Sequence, residues 1–304
     1  MNKIIIIAGP TAVGKTDLSL ALAHTLQTEI ISADSVQIYN GLDIGSAKPT
    51  LDEMAGIPHH LIDVVEPTEA FSVSDYVKLA KKEIRRLHEM GKIPVIVGGT
   101  GLYINGLLYE MDFGESCADA EFRAEMEALA QRCGAMAVYE RLLSCDPVAA
   151  ERIHPNNLKR VIRALEINHV TGKPMADFAN APTKTTDYEV ILIGLTRGRD
   201  VLYERINKRV ELMFSAGLLD EVKKLKNSGL DDSFQSMQGI GYKEVLSYLE
   251  GRINYEQMID EIQQGSRHYA KRQFTWFKRY DDLKWIDLDI TCTEDAVKEI
   301  LSII

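Results

Sequence analysis

Only four cysteines occur in 304 residues, Cys117, Cys133, Cys145 and Cys292, and no two have C-x-x-C spacing. That excludes a zinc ribbon or a disulfide framework as the organising device of the fold. Long apolar runs are missing too. The longest near the N-terminus, Ile4 to Ala8, is too short to span a bilayer or to form a signal-peptide core, and Gly9-Pro10 ends it. A cytoplasmic protein with no membrane partner is expected. Positive charge is in deficit, with 35 Lys and Arg against 45 Asp and Glu and a net charge of -10. Any nucleic-acid role must therefore come from local basic patches. No internal repeat or low-complexity tract is present. What remains is 45% hydrophobic and 26% charged, as expected of a globular enzyme with one large domain or two smaller ones.

The strongest local signal is IIIIAGPTAVGKTDLSLALA, from Ile4 to Ala21. A β-branched run enters Gly9-Pro10-Thr11-Ala12-Val13-Gly14-Lys15-Thr16, and a helix with Leu18, Ala21, Leu22 and Leu26 on one face is predicted over 15–26. This is a phosphate-binding loop in its strand-to-helix setting. Gly9 and Gly14 let backbone N–H groups turn toward an anion, Lys15 adds a charge, and Thr16 offers a hydroxyl to a phosphate-bound Mg2+. The usual companions of a nucleotide-hydrolysing loop are missing. No strand ends in an apolar run plus Asp-Glu, and Asn207-Lys208-Arg209-Val210 lacks the Asp of a guanine-reading N-K-x-D. A GTPase is excluded on that ground; a small-molecule kinase stays open.

Further strands are predicted at 29–32, 60–65, 93–97, 190–193 and 284–288, and a helix over 74–90 from the spacing of Val77, Ala80, Ile84 and Leu87. Alternation of this kind implies an α/β fold, a doubly wound parallel sheet of the P-loop NTPase type. Ligand chemistry in such sheets gathers beyond the carboxyl ends of the strands. The phosphate loop, Asp34-Ser35 and Gly98-Gly99-Thr100-Gly101 would then share one rim. After Phe113 the pattern turns helical, with starts at Asp146-Pro147 and His154-Pro155-Asn156-Asn157 and a stop at Thr171-Gly172. A mainly helical insert is expected over 114–188, ending in the polar stretch Ala181 to Asp187, with the catalytic core formed by 1–113 and 189–304.

Asp34 is the carboxylate placed to act on a ligand in the loop, as a base or through water on Mg2+; a turn-capping role fits its spacing equally well. Arg205 and Arg209 lie four apart and share a helix face. They suit a bidentate polyphosphate clamp or a solvated charged face. Between Gly265 and Tyr280 the chain carries Arg267, Lys271, Arg272, Lys278 and Arg279 among Tyr269, Phe274, Trp276 and Phe277, with no acidic residue. Basic groups beside stackable rings suit RNA loops; a buried aromatic stripe with a basic outer face is the alternative. Lys159, Arg160 and Arg163 form a smaller basic cluster near a helix start. His59 and His60, adjacent on an extended segment, point to opposite sides, which argues against a joint metal site.

Taken together, GPTAVGKT (9–16), ISADSVQIYNGLDIGSAKP (31–49), PHHLID (58–63), VGGTGLY (97–103), RIHPNNLKRVIRALE (152–166), GIGYKEV (239–245) and AKRQFTWFKR (270–279) resemble the tRNA dimethylallyltransferases, the bacterial tRNA isopentenyltransferases. The blocks are in order over nearly the whole chain. The resemblance implies transfer of a dimethylallyl group from dimethylallyl diphosphate to the exocyclic amine of the adenosine immediately 3′ of the anticodon in tRNA, with Mg2+ as cofactor. It implies that Lys15 and Thr16 hold the diphosphate and its Mg2+, that Asp34 is the general base, and that Thr100 and Arg209 contact the diphosphate or the reacting centre. It also implies that Asp34, Ser35, Val36 and Gln37 touch tRNA, as do Thr100 and Arg123. Further tRNA contacts are implied at Leu158, Lys159, Arg160, Val161 and Ile162; at Gln238, Gly239, Ile240, Gly241, Tyr242 and Lys243; and at Lys271, Arg272, Gln273, Phe274, Thr275, Trp276, Phe277 and Lys278. Ser46 stands where the family's pattern has threonine. An isopentenyltransferase acting on free adenine nucleotides, a P-loop kinase and a non-enzymatic RNA-binding protein are the rival readings. Nothing in the sequence demands more than a monomer.

Overall fold

A computed structural model describes residues 2–110, 119–175 and 183–304. Cys117, the expected insert boundary at 114 and the start of the polar stretch, Ala181-Pro182, lie outside the described residues. The strands are β1 (Lys3–Ala8), β2 (Ile30–Ala33), β3 (His59–His60), β4 (Val95–Gly98), β5 (Glu189–Thr196) and β6 (Lys284–Asp287). They form one parallel sheet in the order β3-β2-β4-β1-β5-β6. Ile5 on β1 is level with Val95 on one side and Ile191 on the other. Ile4 to Ala8 are fully buried, which is why the strand reads as a continuous apolar run: helices cover both faces of a parallel sheet.

Contacts divide the chain into two compact units, Met1–Leu108 with Thr185–Ile304, and Tyr109–Lys184. The first contains the sheet with α1 (Lys15–Thr25), α2 (Val73–Glu89) and α3 (Gly101–Leu108). The second holds α4 (Ala120–Cys133), α5 (Ala135–Cys145), α6 (Pro147–Arg152) and α7 (Leu158–Thr171). The first unit resumes with α8 (Arg199–Ser215), α9 (Leu218–Asn227), α10 (Tyr242–Leu249), α11 (Tyr255–Phe277) and α12 (Thr293–Leu301). Among the described residues no helix is long and apolar enough to cross a membrane.

Two local expectations need correction. The strand predicted over 60–65 is only His59–His60, because Leu61 (φ 61°) and Asp63 (φ 53°) leave the extended region; Val65 rejoins by a single bridge to Tyr39. In α1 the fully buried residues are Leu18, Ser19, Leu22 and Ala23, while Ala21 and Leu26 are only partly covered. This helix packs against the sheet on one side and against Ala296, Val297 and Ile300 of α12 on another, so its buried arc is wider than one stripe.

The second unit is built from capped helices around Met126, Val138, Leu142, Ala149, Ile153, Val161 and Leu165. Asp146 caps α6 by accepting from Ala149 N, with Pro147 at the first helical position, and Gly172 (φ 65°) ends α7. Its main polar anchor is Glu166, whose side chain is fully buried. Its carboxylate accepts from Arg123 Nε (2.6 Å), Arg163 Nη1 (2.6 Å) and the Asp119 amide (2.8 Å). Burial raises its pKa, but these donors outweigh that and hold it below the usual carboxylate range. Glu166→Gln replaces one acceptor by a donor facing a guanidinium. We expect it to destabilise this unit by about 2–4 kcal/mol, read as faster amide exchange in α4 and α7 and a lower denaturation midpoint.

Candidate active site

The loop from Gly9 to Thr16 turns sharply between β1 and α1. Ala12 (φ 63°) and Gly14 (φ 114°) take left-handed backbone, and Gly9 lies so close to β5 that a Cβ there would meet Leu195 O at 3.1 Å. Its carbonyls are held by one cation of its own and two from outside. Lys15 Nζ donates to Gly9 O (3.0 Å) and Pro10 O (2.8 Å), Arg205 Nε to Ala12 O (2.8 Å), and Arg197 Nε to Val13 O (2.8 Å). Arg197 is in turn fixed by Asp289 at 2.8 Å. With four carbonyls tied to cations, the loop has the polarity of an anion cradle.

A second glycine-rich turn, Gly98 to Gly101, lies beside it after β4. Each glycine answers a close approach. A Cβ at Gly98 would sit 2.1 Å from Ala33 O, at Gly99 2.1 Å from Gln273 Nε2, and at Gly101 2.4 Å from the Trp276 indole. Gln273, buried on α11, joins the two turns: it accepts from Thr11 N (2.9 Å) and donates to Gly99 O (2.9 Å). Thr100 Oγ1 accepts from Ser35 N (3.1 Å), tying this turn to the end of β2.

Asp34, just beyond β2, lines one cleft with Lys15, Thr16, Ser32 and Gln37. Its Oδ1 accepts from Val36 N (2.8 Å) and Gln37 N (3.3 Å). Oδ1 thus caps a turn, and Oδ2 takes no part in that cap. The Thr16 hydroxyl opens on the same cleft.

The lining of the cleft pairs one ammonium, Lys15, with one carboxylate, Asp34. Burial first, and Arg209 second, lower the Lys15 ammonium to about 8, with Asp34 opposing them. Arg209 is lowered as well, by burial and by Arg205, while Asp17, Glu53 and Asp34 counter the shift. Arg205 and Arg209 thus differ in role: Arg205 points its Nε at the loop, and Arg209 shares the field of Lys15 and Asp34. Tyr269 on α11, read in the sequence only as one of the rings among the basic residues, is raised to about 12 by burial and then by Asp34. It belongs to the same site. Because Lys15 titrates near 8 in the folded chain, its positive charge is full below that pH and fades above it. Calorimetry with inorganic diphosphate should show affinity falling as pH rises from 8. A Lys15→Arg protein, charged throughout, should lack that inflection. Between about 8 and the ordinary 10.5 the unfolded chain binds the extra proton, so this group makes stability rise with pH.

The residues that the resemblance assigns to tRNA divide by exposure. Lys159, Arg160, Arg123, Gln238, Lys243, Lys271, Arg272, Thr275 and Lys278 are exposed; Ser35, Val36, Gln37, Leu158, Gly239, Ile240, Phe274 and Trp276 are half-buried. Val161, Ile162, Tyr242, Gln273 and Phe277 have buried side chains. Tyr242, for instance, donates to Glu221 Oε1 (2.7 Å) and lies against Gly45, where a Cβ would meet its ring at 2.5 Å. The exposed face of α11 carries a hollow of about 530 Å³ lined by His268, Lys271, Arg272, Thr275, Trp276 and Arg279. Arg279 stacks over Trp276 (4.0 Å) and Arg272 over Tyr269 (5.6 Å). In the second unit Arg163 is paired with Glu166. His59 Nδ1 lies 2.8 Å from Ile57 O and His60 Nε2 2.7 Å from Glu29 Oε2, and among the described residues no cluster of three His, Cys, Asp or Glu could hold a metal.

Residues 37–280 match the family described as IPP transferase. A tRNA dimethylallyltransferase of Alkaliphilus oremlandii is 51% identical over 94% of this chain and 92% of its own length. One of Bacillus velezensis is 51% identical over 94% and 90%. Among solved structures, the full-length tRNA isopentenylpyrophosphate transferase of Bacillus halodurans is 47% identical with a TM-score of 0.73, covering 100% of this chain and 94% of that one. A eukaryotic dimethylallyltransferase acting on tRNA is 30% identical with a TM-score of 0.82, over 99% and 80%. A phosphate loop braced by Arg197, Arg205 and Gln273, an aspartate facing it, and these likenesses along its length lead to one conclusion: this chain belongs to the IPP transferase family.

Proposed function

We propose that this enzyme transfers a dimethylallyl group from dimethylallyl diphosphate to tRNA, at the exocyclic amine of the adenosine immediately 3′ of the anticodon, releasing diphosphate. The observation that carries this reading is the pairing, in one cleft, of Lys15 and Thr16 of the phosphate loop with a carboxylate that has one oxygen anchored and one available. The amine is a weak nucleophile and the allylic carbon is activated mainly by its leaving group. As the C–N bond forms, the allylic C–O bond breaks and its electron pair leaves with the diphosphate. The loop amides, Lys15 and Arg209 stabilise that charge where it develops. Asp34 Oδ2 takes the proton the nitrogen sheds.

The Thr16 hydroxyl and Asp34 bring only hard oxygen donors to the cleft, a set that fits Mg2+ shared with substrate phosphates. Bound there, Mg2+ would supply further charge stabilisation to the leaving group. Thr100, through Ser35, keeps the end of β2 in place beside the loop. The target base must leave the anticodon-loop stack, and the rings and cations on α11, with Lys159 and Arg160 on α7, suit the grip on the anticodon stem-loop. We assign a monomeric, cytoplasmic enzyme. Incubation of unmodified tRNA with dimethylallyl diphosphate and Mg2+, followed by nucleoside mass spectrometry, should yield a prenylated adenosine at that position. Prenylation of AMP with none on tRNA, or steady ATP turnover with a phosphorylated product, would overturn the proposal.

A further inference from the structure

We propose that a hollow of about 420 Å³ between the start of α8 and the last turns of α11 binds the phosphate backbone of tRNA, with Arg199 as its outlying cation; this rests on the tRNA reading above. Arg197, Arg199, Lys271 and Lys278 all line it. Arg197 is neutralised by Asp289. Among the described residues Arg199, Lys271 and Lys278 have no carboxylate at ion-pair distance. In a chain of net charge -10, three unneutralised cations around one concavity repel one another unless an anion enters.

Ring contacts hold two of these cations at the rim. Arg199 Cζ lies 5.2 Å from the Tyr203 ring centre and Lys278 Nζ 4.9 Å from that of Phe274. In each it is the charged head itself that lies over the ring, a contact that fixes its position and leaves its charge unneutralised. Phe274 also stacks on Trp285 at 4.9 Å, so the hollow offers charge and little free ring face. That suits phosphates, which position an RNA without reading its bases. Lys271 and Thr275 line this hollow and the 530 Å³ hollow alike, making them one continuous surface over the ridge of α11. Cations on two helices suit a run of backbone phosphates better than one compact anion.

The test is filter binding of full-length unmodified tRNA over a KCl series, with melting curves confirming that each variant is folded. Arg199→Gln should weaken binding about three- to tenfold at low salt and reduce the slope of log K against log salt by about 1. Arg199→Lys should restore both, and Arg199→Glu should weaken binding further. If Arg199→Gln and Arg199→Glu leave affinity and slope unchanged while Arg272→Ala with Arg279→Ala, which line only the 530 Å³ hollow, weakens binding, the smaller hollow is not part of the RNA surface and the proposal falls alone. If the double variant is also without effect, the tRNA reading of α11 falls with it.

Discussion

Asp34→Asn should turn over roughly 100- to 10,000-fold more slowly than the unaltered enzyme, with tRNA affinity largely kept. The choice of Asn follows from the two jobs of this side chain. Oδ1 accepts from the amides of Val36 and Gln37, and an asparagine carbonyl can go on accepting both, so the turn after β2 survives. What is lost is the oxygen proposed as the base for the attacking amine. Asp34→Ala removes both functions and should add a stability loss of about 1 kcal/mol for the two amides left to water. Single-turnover rates at saturating tRNA, set beside filter-binding affinities, separate the effects. Should affinity fall in proportion to rate, Asp34 holds the RNA and is not the base.

The second large effect is structural. Gly98→Ala places a methyl 2.1 Å from the carbonyl oxygen of Ala33, and neither strand can yield. β4 is hydrogen-bonded between β2 and β1, and Ala33 precedes Asp34. Overpacking against backbone in such a place should destabilise the fold by about 3 kcal/mol or more, seen as a much lower denaturation midpoint or as insoluble protein. Gly91→Ala is the control. That glycine has a φ of 71° with open space around it, so its replacement strains only its own backbone and should cost on the order of 1 kcal/mol. Equal destabilisation by the two would show that the contact with Ala33 is unimportant.

Much of the fold was legible because each signal had a local cause. The β-branched run before Gly9, Pro147 after a capping Asp146, and Gly172 after α7 all act within a few residues of themselves. The strand expected to run on to Val65 failed because nothing in Leu61-Ile62-Asp63 announces left-handed backbone at two non-glycine positions. The face of α1 was misjudged because a helix covered from two directions loses its single stripe. In the site, Asp34 and Lys15 stood next to recognisable punctuation. Gln273 did not: among basic and aromatic neighbours on α11 it looked like one more RNA contact, and only the tertiary structure brings its amide between Thr11 and Gly99. Arg197 and Asp289 carried no motif at all, since their bracing of the loop depends on β5 and β6 being neighbours in the sheet.

The bracing of the phosphate loop also orders events in time. The loop leaves the ribosome well ahead of its partners, yet its Ala12 and Val13 carbonyls and its Thr11 amide are satisfied by Arg205, Arg197 and Gln273, with Asp289 behind Arg197. At ordinary synthesis speed those partners follow by roughly ten seconds to a minute. A nascent chain can pair β1 with β4 long before it can fix the cradle between β1 and α1, so the ability to hold a diphosphate arrives late, with the strands and helices that close the sheet.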